Sequence, residues 1–278
     1  MYDQQPDSMN NMFDDEINED LKYLAEKTPI VFKYTRVENF ETMIANSSLL
    51  FKNPSLFNDP YDCYPDLIDF DKVPNNFREY IIEKFRPFLS GAKVEEIIKQ
   101  LKNKSDSELA KIFRNEVFPI EQSTLAVTCF SEKNDNLLIW SHYSDSHKGI
   151  CLGFDLRKLY LNFKIYFPAL IKVKYTNKLE RVDYFADKKK AIINWFRIKS
   201  DCWEYEKEVR IVLTNIKMDS SRQKAIPFDT KSISSIYLGT NIKPDDENKI
   251  RLLALNKIPE TKISKMRLKE DSFSLIPE

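Results

Sequence analysis

Two glutamates separated by one residue form the part of the sequence best suited to chemistry. Glu206 and Glu208 lie in segment 203–213. If this segment is extended, Glu204, Glu206, Glu208 and Arg210 share one face, because side chains alternate along a strand. An E-x-E pair on such a face can orient a ribose hydroxyl and stabilise a cationic transition state. A solvated strand edge, whose charges prevent pairing with another strand, is the simpler interpretation.

A second group of polar and aromatic side chains surrounds the helix predicted over residues 136–144. Trp140 and Tyr143 can stack on a planar ring. Side chains that can hydrogen-bond a ligand here are Ser131, His142, Tyr143 and His147. The two histidines are five residues apart, which matches no helical zinc motif, so no metal is expected. Packing combined with hydrogen bonds in turns is the alternative interpretation.

Two further segments carry polar side chains that could reach the same place. Lys33 and Arg36 end the first predicted strand, and two cations suit a phosphate or pyrophosphate, which arginine binds in a bidentate way. Asn58 and Asp59 lie in the loop 57–62 and could point towards a ligand. A solvated pair of cations and a turn stabilised by Asn-Asp-Pro explain the same residues without a ligand.

These segments must be positioned by a fold that mixes helices and strands. Strands are predicted over residues 30–34, 48–51, 124–130, 149–154, 170–175, 208–214, 233–238 and 262–268, and helices over residues 14–27, 37–46, 136–144, 182–199 and 246–256. The last strand of the chain is predicted to be the one over 262–268. Because the elements do not alternate regularly as β-α-β units, we expect an α+β fold with a mixed, mostly antiparallel sheet and flanking helices.

The domain organisation is predicted to be simple. A chain of 278 residues corresponds to one or two domains at about 150 residues each. Residues 1–28 read as a tail with a short helix, and residues 29–278 as a single α+β domain. Residues 75–119 have apolar side chains at helical spacing in three blocks and no strand pattern, which predicts a helical insert.

Composition narrows the possible partners. Lys plus Arg and Asp plus Glu number 43 each, and this zero net charge gives no strong nucleic-acid signal. No apolar run approaches the roughly 18 residues of a membrane span, so no membrane partner is expected. The acidic N-terminus does not have the pattern of a signal peptide, which predicts a cytoplasmic protein. The four cysteines form no C-x-x-C pair and are expected to be reduced and mostly buried.

Six motifs, taken in order, resemble the bacterial domain of unknown function numbered 2971. They are K-Y-x-R (33–36), F-N-D-P-Y-D (57–62), C-F-S (129–131), W-S-H-Y-x-D-x-H-x-G-I-C-x-G-F (140–154), W-x-Y-E-x-E-x-R (203–210) and Y-L-G (237–239). The long central motif is the most specific of them. This resemblance implies no particular activity, because none is established for that family.

A looser resemblance, to ADP-ribosyltransferases, rests on the order of the same segments. It implies NAD as the substrate, with Glu208 or Glu206 as the catalytic acid. It also implies that Arg36 or Tyr34 holds the pyrophosphate or ribose, and that Ser131 and Tyr143 line the nicotinamide. The S-T-S triplet and the H-G dipeptide of the two main groups of those enzymes do not occur in this sequence.

The leading hypothesis is an NAD-using transferase or glycohydrolase, acting as a toxin or phage-defence effector on an unidentified acceptor macromolecule. The predicted catalytic residues are Glu206, Glu208 and Tyr143. The predicted residues for a small nucleotide ligand are Lys33, Tyr34, Arg36, Asn58, Asp59, Ser131, Trp140, His142, His147 and Arg210. The alternatives are a non-catalytic module that binds a nucleotide or a partner, and a metal-dependent nuclease using Asp201, Glu206, Glu208 and Lys207. Every one of these hypotheses except the last requires Arg36, Tyr143 and a glutamate to line one cleft.

Overall fold

The computed structural model describes residues 26–85, 91–166 and 168–278. The predicted tail and nearly all of the helix predicted over 14–27 lie outside these residues. Within them, no helix is both long and apolar enough to cross a membrane. All four cysteines are free, with Cys63 and Cys151 buried, Cys129 half-buried and Cys202 exposed.

The described chain mixes helices and strands, as predicted. In chain order the strands are β1 (Ile30–Thr35), β2 (Ser48–Lys52), β3 (Ile68–Asp69), β4 (Ala126–Ser131), β5 (Ile150–Asp155), β6 (Ala169–Lys172), β7 (Lys174–Thr176), β8 (Val182–Asp183), β9 (Ile198–Ser200), β10 (Glu208–Leu213), β11 (Gln223–Pro227), β12 (Ile233–Leu238), β13 (Lys262–Leu268) and β14 (Leu275–Pro277). The helices are α1 (Val37–Asn46), α2 (Phe77–Phe85), α3 (Gly91–Leu101), α4 (Asp106–Ile112), α5 (Phe118–Gln122), α6 (Leu137–Tyr143), α7 (Leu156–Asn162), α8 (Lys188–Arg197) and α9 (Pro244–Lys257).

Ten of these strands form one sheet, whose pairs are antiparallel except for the parallel pair β12–β13. The order is β11-β2-β4-β1-β5-β12-β13-β14, with β10 also paired to β4 and β6 paired to β10. The mixed, mostly antiparallel sheet of an α+β fold is therefore confirmed.

The sheet opens beside β4, and this opening creates the site described below. β10 pairs with β4 along its whole length, from Glu208↔Ser131 to Leu213↔Ala126. On the other side of β4, β1 and β2 each pair at one position only, Phe32↔Ser131 and Lys52↔Val127. The part of β4 between these two positions consequently faces a gap instead of a neighbouring strand.

Apolar side chains cover both faces of the sheet. Along β10, Val209, Ile211 and Leu213 join one core cluster, and Val212 joins the other, as strand alternation requires. The first cluster includes the inward face of α1, where Phe40, Met43 and Ile44 are buried as predicted. The second cluster lies under α8 and the insert. Glu208 and Arg210 belong to the same face as Val212, so both are carried into that second layer.

The helical insert predicted over residues 75–119 is confirmed. α2, α3 and α4 lie there, α4 continues into a π-helical turn at Phe113–Val117, and α5 follows. Ser105 begins α4 with a capping box, in which its side chain accepts from Glu108 N and Glu108 accepts from Ser105 N. Phe113 packs against Phe70 and Phe77, which joins the insert to the second core cluster. No strand lies within the described residues of the insert.

Two boundary predictions were wrong. Residues 182–199 do not form one helix, because Val182 pairs with Ile68 in a short parallel ladder and Asp183 accepts two backbone N–H groups in a turn. The helix begins only after Asp187, whose side chain caps it. In addition, β13 is not the last strand, since β14 pairs with it.

Two glycines permit a tight crossing between the loop after α6 and the ends of β1 and β12. In the loop 145–147 all three residues have φ between 50° and 67°. Gly239 donates its N–H to the Gly149 carbonyl at 2.9 Å. A Cβ on Gly239 would overlap the His147 carbonyl, and a Cβ on Gly149 would overlap the Thr35 carbonyl. Both clashes involve backbone, which cannot rotate away.

Gly239→Ala is therefore expected to lower the free energy of unfolding by about 1–3 kcal/mol, the usual cost of overpacking. Gly153→Ala is the matched control, because its Cβ would meet mainly the rotatable hydroxyls of Ser235 and Ser234. Urea unfolding of the two variants measures the difference. Equal losses in both would show that the contact between Gly239 and His147 does not constrain the fold.

Candidate functional site

A cleft of about 620 Å³ occupies the opening beside β4. Nine of the thirteen site residues predicted from the sequence line it, namely Lys33, Tyr34, Arg36, Asn58, Ser131, His142, Tyr143, Glu206 and Glu208. They come from segments that are far apart in the chain, so the fold and not local structure brings them together. Four others do not line it, namely Asp59, Trp140, His147 and Arg210.

One wall of the cleft carries two exposed cations. Arg36 occupies the position before the first turn of α1, directly after β1. Lys52 ends β2, on the strand face that also carries the exposed Leu50, whereas Leu49 and Phe51 point into the core. Neither cation is paired with a carboxylate of the described residues. Both charges are therefore available to an anion that enters the cleft.

Lys33 lies deeper, in the gap between β1 and β4. Its ammonium donates to the Thr128 hydroxyl at 2.9 Å and to the Cys129 carbonyl at 3.0 Å. It also lies 5.0 Å from the centre of the Phe130 ring. The two hydrogen bonds give partners to oxygen atoms in the part of β4 that has no neighbouring strand on this side. Burial lowers the pKa of Lys33 to about 8, and no carboxylate of the described part of the chain forms an ion pair that would offset this.

The predicted row of glutamates on one extended strand is wrong. Residues Asp201–Glu206 form a 3-10 helix, and Lys207 follows with a φ of 44°, so β10 begins only at Glu208. Glu204 consequently points into solvent, where Lys207 donates to it at 2.8 Å. Glu206 and Glu208 are turned inward on either side of Lys207. This 3-10 helix could not be predicted from the sequence pattern, because every residue of the segment is also compatible with a strand.

Glu206 and Glu208 converge on the ammonium of Lys199. Lys199 Nζ lies 2.6 Å from Glu206 Oε2, 2.9 Å from Glu208 Oε2 and 3.4 Å from Asp62 Oδ2. Arg210 completes the group, donating to Glu208 Oε1 at 2.8 Å and to Asp62 Oδ2 at 2.7 Å. All five side chains are at least nine-tenths buried. In this buried cluster (Asp62, Lys199, Glu206, Glu208 and Arg210), every member except Arg210 lines the cleft, and these four form its floor.

The two glutamates of the buried cluster have opposite pKa shifts. Burial alone would raise the pKa of Glu208, but Arg210 and Lys199 outweigh it and hold that pKa well below its usual value. Burial also raises the pKa of Glu206, Glu208 adds to the rise, and Lys199 opposes it, with a net increase. Three carboxylates share two cations, and Glu206 is the one whose charge is least compensated.

Tyr143 connects Glu206 to the open part of the cleft. Its hydroxyl donates to Glu206 Oε1 at 2.6 Å, and its ring is partly exposed. Burial and the neighbouring Glu206 raise the pKa of Tyr143, so it remains a hydrogen-bond donor at neutral pH. Ser131 supports the same glutamate from behind, because its hydroxyl donates to the Glu206 carbonyl at 2.6 Å. His142 shares a hydrogen bond of 3.0 Å with the Tyr205 hydroxyl.

Trp140 and His147 are placed differently from their predicted roles. Trp140 is fully buried and donates from its indole nitrogen to the Asn134 carbonyl, so it cannot stack on a ligand. His147 stacks against the Trp140 ring, with the ring centres 6.3 Å apart, and does not line the cleft. The Trp140 ring on α6 therefore packs between His147 and Tyr34, which it contacts edge to face.

Asp59 and Arg210 also lie outside the cleft lining. Asp59 is buried and accepts from Tyr61 N, which is turn chemistry. Arg210 is completely buried beneath the floor, where it pairs with Glu208 on the same face of β10 and not with a ligand in the cleft. Three charged residues of the cleft lining were not predicted from the sequence, namely Lys52, Asp62 and Lys199. Asp62 ends the F-N-D-P-Y-D motif, which was the one available signal.

No group of three or more His, Cys, Asp or Glu side chains that could hold a metal ion occurs among the residues that the structure describes. Where the acidic side chains of the floor converge, the ammonium of Lys199 occupies the centre. Lys207, the lysine of the nuclease alternative, is half-exposed and pairs with Glu204.

Comparison with known proteins gives a partial match. No curated protein matches the chain, and no solved structure does. One family model matches part of the chain, residues 139–211, from α6 to β10. This segment contains Tyr143, Lys199, Glu206, Glu208 and Arg210, and it excludes Arg36 and Lys52. Over residues 139–211 the chain matches the model of the family described as "Protein of unknown function (DUF2971)".

Proposed function

We propose that the cleft binds NAD and cleaves its nicotinamide–ribose bond, passing the ADP-ribose to water or to an acceptor macromolecule. One observation supports this most strongly. Arg36 and Lys52, which pair with no carboxylate that the structure describes, share a cleft with Glu206, a carboxylate whose charge is only partly compensated. The two cations suit the pyrophosphate of a dinucleotide, and the carboxylate of Glu206 suits a positive charge that develops on a ribose.

The phosphate end of the ligand belongs beside Arg36 and Lys52. A guanidinium binds phosphate oxygens through two parallel N–H groups, and an ammonium adds a point charge. Because no described carboxylate competes for either side chain, an anion displaces only water. A small nucleotide with a pyrophosphate therefore fits this wall better than an uncharged ligand.

The ribose end belongs beside Tyr143 and Glu206. When the bond from the ribose C1 to the nicotinamide nitrogen breaks, its electron pair neutralises the pyridinium and positive charge develops on the sugar. An ionised Glu206 stabilises that charge electrostatically, and it has lone pairs left to accept from a ribose hydroxyl. Water or an acceptor then bonds to C1 and loses a proton.

Glu208 has a different role in this proposal from that of Glu206. Both of its oxygens are bonded to Arg210 and one is bonded to Lys199 as well. It is held ionised and immobile, and it fixes Lys199 so that Lys199 in turn orients Glu206. Glu208 is therefore a positioning residue, and Glu206 is the proposed catalytic residue.

The direct test is to incubate the purified protein with NAD and to follow nicotinamide release by chromatography. A cell extract is added in a parallel reaction as a source of acceptors. Release without extract supports hydrolysis, and release that requires extract supports transfer. No release in either reaction, together with measurable NAD binding by calorimetry, would replace this proposal with the non-catalytic binding module. A role as a toxin or phage-defence effector stays a prediction.

Arg36→Ala and Lys52→Ala are each expected to weaken NAD binding about tenfold or more, since a charge-assisted phosphate contact is worth about 1.5–3 kcal/mol. Lys224→Ala is the matched control. Lys224 is an exposed cation next to Ala225, which lines the cleft, but alternation places it on the other strand face. Calorimetry at low and moderate salt measures all three. A loss in the control equal to that of Arg36→Ala would mean that general electrostatics, and not this wall, attracts the ligand.

A further inference from the structure

Lys33 is a lysine with a fixed position in the cleft and no acid partner among residues 26–85, 91–166 and 168–278. Its two hydrogen bonds, to Thr128 Oγ1 and to the Cys129 carbonyl, hold the nitrogen in place. An ammonium has three N–H groups, so one direction remains free. Lys33, Arg36 and Lys52 all line the cleft, and Lys52 is close enough to Lys33 to lower its pKa. This arrangement places an amine beside a binding position for an anion.

The charged and titratable groups around Lys33 come from three strands. Lys52 on β2 lowers its pKa, while Cys129 on β4 and Glu208 on β10 raise it. Burial has the largest effect and brings the pKa to about 8. At pH 7 about a tenth of Lys33 is therefore an uncharged amine, which is the nucleophilic form, and at pH 8 about half is.

We propose that Lys33 is a site of imine formation with the aldehyde group of a phosphate-bearing ligand, whose phosphate lies against Arg36 and Lys52. The uncharged amine attacks the carbonyl carbon, and an N–H proton passes to the carbonyl oxygen. The carbinolamine then loses water to leave a carbon–nitrogen double bond. No oxidant or reductant is required. This inference does not depend on NAD cleavage, because Glu206 takes no part in it.

The experiment uses pyridoxal 5′-phosphate as the probe, borohydride to reduce the imine, and peptide mass spectrometry to locate it. Lys33 is expected to be labelled in preference to the exposed Lys224, and its labelling is expected to rise as the pH increases through about 8. Pyridoxal without the phosphate is expected to label Lys33 about tenfold less, the effect of one charge-assisted contact.

Two results would overturn the proposal. The first is labelling of Lys33 no faster than that of Lys224 in the wild-type protein. The second is equal labelling by the probes with and without phosphate. Both results come from the unmodified chain, so neither depends on whether a variant folds. Lys33→Arg provides an additional check, in which the label on this peptide is expected to disappear while Lys224 remains labelled. Because NAD is not in the reaction, failure of nicotinamide release leaves this test intact.

Discussion

Glu206→Gln is expected to lower nicotinamide release from NAD by about a hundredfold or more. The amide keeps the shape of the side chain and can still accept from Tyr143 or Lys199, but it removes the charge that stabilises a cationic ribose. The rate is measured at saturating NAD, so that a change in affinity does not enter. Binding is expected to change little, since the phosphate wall at Arg36 and Lys52 is untouched.

Glu204→Gln is the matched control for this substitution. Glu204 lies in the same 3-10 helix, but it is exposed and pairs only with Lys207. We expect its variant to retain the wild-type rate. If Glu206→Gln were as active as wild type and Glu208→Gln were inactive, the catalytic role would pass to Glu208. If all three variants matched wild type, neither glutamate of the cluster would be catalytic.

Arg210→Met is expected to lower the free energy of unfolding by about 3–5 kcal/mol at pH 7, the usual result of removing one partner from a buried ion pair. Arg210 is fully buried and is bonded to both Glu208 and Asp62. Its loss leaves three buried carboxylates with Lys199 alone. Urea unfolding followed by tryptophan fluorescence measures the change. Lys207→Met, which breaks an exposed pair, is expected to cost about 1 kcal/mol or less.

The decrease in the free energy of unfolding caused by Arg210→Met is expected to depend on pH. The pKa of Glu208 is lower in the folded protein than its ordinary value of 4.5, so its ionisation stabilises the fold above that value. The contribution declines as the pH falls below 4.5 towards the lower pKa of the folded state. The difference between wild type and Arg210→Met is therefore expected to narrow in acid. A difference that stays constant from pH 7 to pH 3 would show that Arg210 stabilises the fold by packing alone.

The fold was predictable where periodicity is continuous. α1 has the predicted bounds because its apolar residues recur at helical spacing and Ser47 ends it with a left-handed conformation. The insert was predictable for the same reason. Residues 182–199 were not, because the pairing of Val182 with Ile68, more than a hundred positions earlier, overrides local helical preference. Such long-range pairing cannot be predicted from the sequence of neighbouring residues alone.

The site was predictable only in part. The segments that meet in the cleft could be named from their residue types, but the ion pairing among them could not. Lys199 is one lysine among many, and its neighbours in the cluster include Asp62, which is distant in sequence. Trp140 was assigned to the ligand because aromatic rings serve equally for stacking and for core packing, and only its complete burial distinguishes the two.

The central claim is that one nucleotide spans the cleft from Arg36 to Glu206. A crystal structure of Glu206→Gln soaked with NAD tests it most directly, because the slow variant should hold the intact dinucleotide. The expected density places pyrophosphate oxygens about 3 Å from Arg36 and Lys52, with the nicotinamide ribose beside Tyr143 and residue 206. NAD bound with its pyrophosphate away from both cations, or a cleft that stays empty at saturating NAD, would contradict the claim.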